Sequence, residues 1–255
     1  SWVSPGVTMT ARGLASGMAC HALNALTGSI DSAGGVRRLP LLGCAPWPST
    51  EPYQDTEARR ANACEPVDQR RYRGLMAAKD GSIHANTLTN RLADAILCGE
   101  PYPVEMMIGY WNNFAFSCSD TQRWEEALAK LPFFVHVTTN VSETSRFADI
   151  VLPAKNHLYE TWGYAVSRMQ GHSCVHLQTP VIAAPGEARA DESEFPFMLA
   201  QKLAAKRFCA LLDYYRDCFP EVLTGKAPSN GIELGRNAVQ QITRPLWEAG
   251  GSWER

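Results

Sequence analysis

Histidine and cysteine are the side chains whose spacing could create a metal site, and here they are scattered along the sequence. Among six histidines, His172 and His176 are the pair that lies four residues apart. That interval suits two ligands on one face of a helix, but the surrounding residues alternate as in a β-strand, which lacks that ligand geometry. We expect hydrogen-bonded or solvated histidines here, with metal binding as the alternative.

The eight cysteines show no C-x-x-C pair, so we do not expect a zinc or iron–sulfur site made by this chain alone. Most of them fall in helical or strand-like stretches, where a free cysteine acts as a small hydrophobic residue. The alternative is one or two disulfides in an oxidising compartment. The positions are Cys20, Cys44, Cys64, Cys98, Cys118, Cys174, Cys209 and Cys218.

Short sequence motifs that identify common nucleotide-binding and catalytic sites are missing from the sequence. It contains no phosphate-binding P-loop, no G-x-G-x-x-G, no G-x-S-x-G nucleophile turn and no H-E-x-x-H zinc motif. No spacing of serine, histidine and aspartate singles out a catalytic triad. Motifs alone therefore indicate an α/β ligand-binding domain and nothing more specific.

Composition excludes several further classes of protein. The chain has 255 residues, 45% of them hydrophobic, which is enough for a buried core. Its net charge of -2 comes from intermixed acidic and basic residues, so we expect no nucleic-acid partner. The apolar runs are too short to cross a membrane.

The middle of the chain carries the clearest pattern of secondary structure. Apolar runs at Val104–Tyr110, Phe133–Val137 and Ile150–Leu152 are typical of short strands, and Asp120–Leu131 has the periodicity of a helix. Trp124, Leu128 and Leu131 should face the sheet, with Ser119 or Asp120 as the N-cap. Strands alternating with a helix predict parallel β-strands joined by a crossover.

Polar loops follow each of the three predicted strands, at Trp111–Ser117, Thr138–Thr144 and Pro153–Gly163. Ligands of parallel sheets bind at the carboxyl ends of the strands. We therefore expect the function to lie in these three loops.

The remaining chain predicts mostly helices. Leu14, Met18 and Leu26 share one face of the first of them, and Gly28 is its expected C-cap. Residues 37–81 are proline-rich and aperiodic, which indicates an ordered but irregular insertion. The other predictions are helices at Leu14–Leu26, Ala85–Cys98, Phe195–Leu212 and Leu234–Ile242, β-structure at Gly163–Ile182 and a loop at Lys226–Asn230.

Four blocks, in the same order, resemble the molybdopterin oxidoreductases of the dimethyl sulfoxide reductase superfamily. Ala22–Val36 matches their leucine-rich helix, T-G turn and glycine pair, and Ala93–Pro103 resembles the polysulfide, thiosulfate, tetrathionate and arsenate reductase branch. Ser142–Pro153 matches E-T-x-x-x-A-D-x-V-L-P, the most specific block. Pro185–Arg189, followed by Asp191, matches P-G-E-A-R. Members of this family bind molybdenum between two molybdopterin guanine dinucleotides.

The resemblance implies cofactor contacts at six positions. Asn112 corresponds to the loop that meets the dinucleotide after the first strand, although its alternative is a simple Asx-turn. Arg12 and Gly13 match the polar loop near the pterin, where the arginine could instead form a structural ion pair. Asp191 aligns with a cofactor-contacting acid, and a helix N-terminal charge is its alternative.

Two of these positions depart from the family pattern. Thr138 stands where the family usually has an acidic residue, so Thr139 or Asn140 would take over the guanine contact. Thr161 replaces the basic residue of an E-K-x-G turn. Both departures predict a weaker hold on the dinucleotide in this half-site.

The resemblance also implies a division of the chain. Residues 1–36 would be a helix and glycine-turn segment of the cofactor domain, and 37–81 the irregular insertion. Residues 82–212 would form a Rossmann-like, three-layer parallel-sheet domain that binds molybdopterin guanine dinucleotide. Residues 213–255 would be a helical connector toward a C-terminal β-barrel domain.

The function that the resemblance implies belongs to a longer catalytic subunit. We expect a fragment of a molybdenum or tungsten bis(molybdopterin guanine dinucleotide) oxidoreductase, acting on a sulfur compound or an oxyanion by electron, oxygen or sulfur transfer. The [4Fe-4S] cluster and the metal ligand are expected in the missing N-terminal part. The fragment alone should be inactive, so we assign no catalytic and no metal-ligating residue within it.

The family also implies partners and a place in the cell. The partners are the remainder of the catalytic subunit, an iron–sulfur electron-transfer subunit and a membrane anchor subunit. The expected location is the periplasm or the periplasmic side of the membrane, where enzymes of this branch serve anaerobic respiration, with the cytoplasm as the alternative. An alternative is a metal-free structural or electron-relay subunit that keeps the fold. A further alternative is an unrelated nucleotide-binding α/β protein.

Overall fold

The computed structural model describes residues 5–8, 12–37, 43–68, 89–156, 158–159, 161–169, 172–186, 191 and 193–250. The helices are α1 (Pro5–Thr8), α2 (Gly13–Leu26), α3 (Thr56–Ala63), α4 (Thr89–Cys98), α5 (Phe114–Ser117), α6 (Thr121–Lys130), α7 (Glu194–Ala204), α8 (Ala210–Cys218) and α9 (Gly231–Gly250). The strands are β1 (Met107–Tyr110), β2 (Phe134–Thr138), β3 (Ile150–Pro153), β4 (Gly163–Met169) and β5 (His172–Gln178). The chain forms two compact units, residues 1–44 with 164–177 and residues 45–163 with 178–255.

A parallel sheet of three strands is the centre of the larger unit. β2 lies between β1 and β3, and Tyr110, Val137 and Leu152 occupy adjacent positions across the sheet. All three strands lie where the apolar runs place them, although β1 begins three residues later than predicted. The predicted α/β class and the parallel crossover are confirmed.

Apolar residues pack on both faces of the central strand β2. On one face Phe134 packs with Trp124 and Leu128 of α6 and with Ile96 of α4. On the other face Val135 and Val137 pack with residues that include Phe195 of α7. Alternation along β2 thus sends successive side chains into two different cores.

Helix α6 has the predicted start and the predicted buried face. The Asp120 carboxylate accepts a hydrogen bond from the Arg123 amide, which caps the helix. Trp124, Leu128 and Leu131 are buried. Helix α4 ends at the predicted Cys98, whereas its predicted beginning at Ala85 lies outside the described residues.

The last third of the chain differs from its prediction. A single helix at Phe195–Leu212 is wrong, because the chain breaks after α7 and Arg207 adopts a positive φ of 74°. The final helix is also longer than the predicted Leu234–Ile242, since α9 runs for 20 residues through Pro245. Helices α7, α8 and α9 share a core that contains Phe197, Leu212, Phe219 and Leu234.

The described part of the insertion, residues 43–68, packs along these helices. It holds a 3₁₀ turn at Glu51–Tyr53 and α3, and is otherwise irregular as predicted. The Ala45 amide donates to the Ile242 carbonyl at 2.7 Å, and the Tyr214 hydroxyl donates to the Pro48 carbonyl at 3.1 Å. The segment is therefore fastened to α8 and α9 by backbone groups at two points.

The smaller unit contains α2 and the two-stranded sheet of β4 and β5. Gly28 follows α2 with a φ of 64°, the left-handed conformation expected of a C-terminal glycine. The helix α2 lies where it was predicted. Of the residues on its predicted apolar face, however, Met18 and Leu26 are 62% and 83% exposed. Among the helices of the described residues, none is both long and apolar enough to cross a membrane.

Candidate functional site

The carboxyl ends of the three parallel strands meet at one edge of the sheet. Tyr110, Val137 and Leu152 are in register, so the loops that begin at Trp111, Thr138 and Ala154 lie side by side. The Trp111 amide donates to the Val137 carbonyl at 3.0 Å, and the Ala154 amide donates to the Thr138 carbonyl at 3.0 Å. This edge is where a parallel sheet binds its ligands.

The first loop presents an aromatic surface. Trp111 has a positive φ of 50°, which turns the chain sharply as it leaves β1. Its ring stacks on Tyr110 with centroids 5.6 Å apart and nearly parallel planes, and half of Trp111 remains exposed. An open indole face at a strand end can stack on a planar ring such as a nucleobase.

Asn112 lies next in this loop, and its side chain is not used in a turn. The Oδ1 atom is buried and has no hydrogen-bond partner among the described residues, while Nδ2 lies 3.5 Å from the Tyr110 carbonyl. The Asx-turn alternative is therefore wrong. A Cβ at Gly109 would come within 2.9 Å of the Asn112 Nδ2 atom, so a larger residue at this position would have to displace the Asn112 side chain.

Asn113 joins the first loop to the second, a role that sequence reasoning missed. Its amide donates from Nδ2 to the Glu143 carboxylate at 2.7 Å and accepts at Oδ1 from the Thr144 hydroxyl at 2.9 Å. The Thr144 hydroxyl also accepts from the Ala115 amide at 3.0 Å, at a position of zero exposure. Asn113 thus forms hydrogen bonds with both residues of the E-T pair in the most specific sequence block.

The same block has a second structural contact at its acidic residue. The Asp149 carboxylate accepts from the Phe134 amide at 2.7 Å, and the Phe134 carbonyl accepts from the Asp149 amide at 2.9 Å. These bonds fix the beginning of β2 against the beginning of β3. The E-T pair therefore secures the middle of the loop between β2 and β3, and the aspartate of the A-D pair secures its end.

The hydrogen bond from Asn113 alters the acidity of Glu143. This contact, helped by the nearby charge of Arg146, lowers the pKa of the Glu143 carboxylate below its usual value. Glu143 is exposed and stays ionised at neutral pH. It adds negative charge beside the open edge of the sheet, which favours hydrogen-bond donors over anions at that point.

In the second loop, the first side chain, that of Thr138, forms a hydrogen bond within the loop itself. The Thr138 hydroxyl donates to the Asn140 carbonyl at 2.8 Å, so it closes a turn at the end of β2. Thr139 and Asn140 are exposed at the tip of this turn. Thr138 is thus placed at the edge as predicted, but its hydroxyl is already engaged.

The third loop contains a buried ion cluster that the sequence did not reveal. The Lys155 ammonium lies 2.5 Å from a Glu194 carboxylate oxygen and 3.5 Å from one of Asp191, and its side chain is 1% exposed. Asp191 also accepts from the Ser193 and Glu194 amides at 2.9 and 2.5 Å, which caps α7. The helix-terminal alternative for Asp191 therefore has direct structural support.

The remaining predicted positions lie elsewhere. Arg12 is exposed just before α2, and its carbonyl accepts from the Ser16 amide, while Gly13 is buried where any Cβ would meet the Thr8 carbonyl. Both belong to the smaller unit. Thr161 is half-buried in the larger unit, and the glutamate before it lies outside the described residues.

Candidate metal ligands do not converge in the part of the chain that the structure describes. Within the described residues, no three His, Cys, Asp or Glu side chains come together as a metal site. His176 is instead hydrogen-bonded to the Ser167 hydroxyl at 2.8 Å. All eight cysteines are described and free, and Cys64, Cys98, Cys174 and Cys209 are exposed rather than packed in a core.

Comparison with known proteins adds an independent finding. Residues 1–193 match the family described as molybdopterin oxidoreductase. The chain is 39% identical to the arsenate respiratory reductase molybdopterin-containing subunit ArrA of Shewanella sp. (strain ANA-3), over 98% of this chain and 30% of that protein. It is 36% identical to ArrA of Chrysiogenes arsenatis, over 97% of this chain and 29% of that protein.

A more distant relative has a different name. The assimilatory nitrate reductase catalytic subunit of Bacillus subtilis (strain 168) is 29% identical over 49% of this chain and 17% of its own length. This chain spans less than a third of the length of all three relatives. Because the family match covers residues 1–193 and two members are 39% and 36% identical over nearly the whole chain, the chain belongs to the molybdopterin oxidoreductase family.

Proposed function

We propose that this chain is the part of a molybdenum or tungsten oxidoreductase that holds one molybdopterin guanine dinucleotide at the carboxyl edge of its parallel sheet. The observation that carries the proposal is the buried, unpartnered Asn112 Oδ1 atom beside the exposed Trp111 ring. An acceptor next to an aromatic face suits a nucleobase or a ribose hydroxyl. Family membership supports a molybdopterin cofactor in particular.

The residues of this edge fit that ligand. Asn112 would accept a hydrogen bond from the nucleotide, Trp111 would cover its base, and the exposed Thr139 and Asn140 would supply further polar groups. The Asn113 contacts would hold the two loops at a fixed distance. When bound, the cofactor supplies the two-electron redox chemistry, and the chain supplies binding and orientation.

The substrate and the partners of the whole enzyme are further parts of the proposal. Because two relatives are named arsenate respiratory reductase, we assign an oxyanion such as arsenate as electron acceptor. A [4Fe-4S] cluster elsewhere in the subunit, an iron–sulfur electron-transfer subunit and a periplasmic location follow from the same assignment. The earlier alternative of an unrelated nucleotide-binding protein is wrong, given the family match.

One observation favours a second candidate, a metal-free subunit that has kept the fold. Thr138 replaces the family's acidic residue, and its hydroxyl is engaged with Asn140 rather than open to a ligand. The described residues of the second loop therefore offer no carboxylate to a guanine before Glu143.

Analysis of the full-length protein decides between these candidates. Molybdenum, tungsten, oxidised pterin and released guanine nucleotide would be measured per chain. We expect stoichiometric metal with guanine-bearing pterin, and a lower guanine content in Asn112→Ala. Asn62→Ala, at an exposed position of α3, is the matched control and should retain the cofactor. A well-folded protein with neither metal nor pterin would overturn the catalytic proposal and support the metal-free candidate.

A further inference from the structure

His136 is a buried polar residue in the middle of β2 that the family blocks do not include. Its side chain has zero exposure, and its ring lies between two loops of the carboxyl edge. The Nε2 atom is 2.9 Å from the Asn112 carbonyl oxygen, and the Nδ1 atom is 2.9 Å from the Ser145 hydroxyl. One imidazole therefore contacts the loop after β1 and the loop after β2.

The two partners determine where the ring carries its proton. A carbonyl oxygen can only accept, so Nε2 must donate to Asn112. In a neutral imidazole Nδ1 is then an acceptor, and the Ser145 hydroxyl donates to it. Burial lowers the pKa of His136, although the bond to the Asn112 carbonyl opposes part of this effect. The neutral ring with hydrogen on Nε2 is thus the form that satisfies both contacts.

Ser145 extends this connection further into the second loop. Its Oγ atom accepts from the Ser142 amide at 2.9 Å while it donates to His136. The hydrogen bonds run in one direction, from Ser142 through Ser145 and His136 to the Asn112 carbonyl. Ser145 and His136 each act once as donor and once as acceptor, so a replacement at position 136 must supply both a donor and an acceptor to preserve the whole chain of bonds.

The position of His136 relative to Asn112 gives this chain of bonds a functional consequence. The ring holds the backbone of Asn112, whose buried Oδ1 atom has no hydrogen-bond partner among the described residues. The Phe134 ring lies beside it, with centroids 5.7 Å apart, and restrains the imidazole sideways. A shift of His136 would move the Asn112 carbonyl, and the Asn112 amide with it.

We propose that His136 is a positioning residue for nucleotide binding, which fixes Asn112 and the Ser142–Ser145 turn in the geometry that the dinucleotide needs. This inference rests on the proposed function of the carboxyl edge. The imidazole does not touch the cofactor and takes no part in electron transfer. It acts through the Asn112 carbonyl and the Ser145 hydroxyl.

The test is the first-order rate at which guanine nucleotide is lost from the full-length, cofactor-loaded protein, measured well below its melting temperature. His136→Phe keeps a planar ring and loses both bonds. His136→Gln can still donate to Asn112, and His136→Asn can still accept from Ser145. Ser145→Ala removes the bonds to His136 and to the Ser142 amide without changing the ring. His176→Phe, at an exposed histidine of β5, is the matched control.

We expect nucleotide loss to be about tenfold faster or more in His136→Phe, as for a buried polar group left unpaired, and intermediate in His136→Gln, His136→Asn and Ser145→Ala. His176→Phe should release at the wild-type rate. If His136→Phe does not fold, the three milder variants carry the same comparison. A purely structural residue would lower the melting temperature without this graded change in release.

The guanine nucleotide content of the wild-type protein separates failure of this inference from failure of the proposed function. If the wild type is loaded and the His136 and Ser145 variants release nucleotide at its rate, the positioning inference is wrong and the proposed function stands. If the folded wild type carries no guanine nucleotide, the proposed function fails and the inference fails with it.

Discussion

At the scale of single residues, Glu143 shows that an acidic residue of a family block makes a structural contact with another side chain. The carboxylate is exposed, yet Asn113 donates to it at 2.7 Å, and this bond lowers its pKa from the usual 4.5. A lowered pKa in the folded state means that the ionised carboxylate stabilises the fold above pH 4.5. This contribution is lost as the pH falls through the lower, folded-state pKa.

Glu143→Gln should therefore lower the melting temperature of the protein at neutral pH and have a progressively smaller effect under acid conditions. The reason is that protonation removes the same charge in the wild type that the substitution removes in the variant. Thermal unfolding of both proteins between about pH 7 and pH 3 measures the difference. Glu57→Gln, at an exposed acid of α3, is the control for charge alone. A constant difference across this range would contradict the assignment.

A contact between two residues could be predicted from the sequence when the two residues lie close together along the chain. The Asp120 cap was predictable because its acceptor and donor lie three residues apart. The burial of Lys155 was not, because lysine is rarely buried and its partners lie about 40 positions further along the chain. Asn112 was found through the family resemblance, whereas the contacts of Asn113 depend on a loop 30 residues away.

At the scale of elements, the strands were predicted well and the later helices poorly. Short apolar runs marked β1, β2 and β3 because a parallel sheet covered on both faces needs apolar residues on each side. The break between α7 and α8 has no glycine or proline to announce it, and Arg207 takes the positive φ instead. Helix α9 continues through Pro245, a residue that normally favours a helix end.

The contact between β3 and α7 depends on charge as well as packing. Lys155 follows β3, and Asp191 and Glu194 stand at the start of α7, with side chains 3% and 13% exposed. Within the described residues, one cation contacts two carboxylates in a nearly dry place. Removing the cation would break its ion pairs with both acids, which costs more in a buried place than losing a surface ion pair.

Lys155→Met should destabilise the larger unit by about 3–5 kcal/mol, the usual cost of breaking a buried ion pair. Denaturant unfolding of the full-length protein, followed by a signal from this unit, measures the change. Lys130→Met is the control, because Lys130 is an exposed cation at the end of α6. Adding Asp191→Asn and Glu194→Gln to Lys155→Met should recover much of the loss. Equal effects of Lys155→Met and Lys130→Met would show that the buried charges do not fasten α7.

At the scale of the whole molecule, one edge of the sheet collects the features that the sequence had distributed over three loops. Trp111, Asn112 and Thr138 come together because parallel strands end on the same side. Arg12 and Gly13, which the resemblance also assigns to the cofactor, belong to the other compact unit. Composition and periodicity predict the sheet and its edge, while the choice of ligand comes from family membership.

This arrangement predicts which backbone amides should change their hydrogen-exchange rate when the cofactor binds. Loss of the dinucleotide should open the loops at its binding edge, because a ligand that binds only the folded state stabilises the groups it contacts. Amide hydrogen exchange of the full-length protein, with cofactor and after production in a host that cannot make molybdopterin, compares the two states. We expect faster exchange without cofactor in residues 111–117 and 138–145.

The helices α8 and α9 provide the internal reference for this measurement. Their core around Leu212, Phe219 and Leu234 is built without any of the three loops of the edge, so their amides should exchange at similar rates in both states. Faster exchange in α8 and α9 with unchanged loops would place the dinucleotide away from the carboxyl edge. Faster exchange in the loops alone assigns them to the cofactor, since a general loss of stability would reach the helices as well.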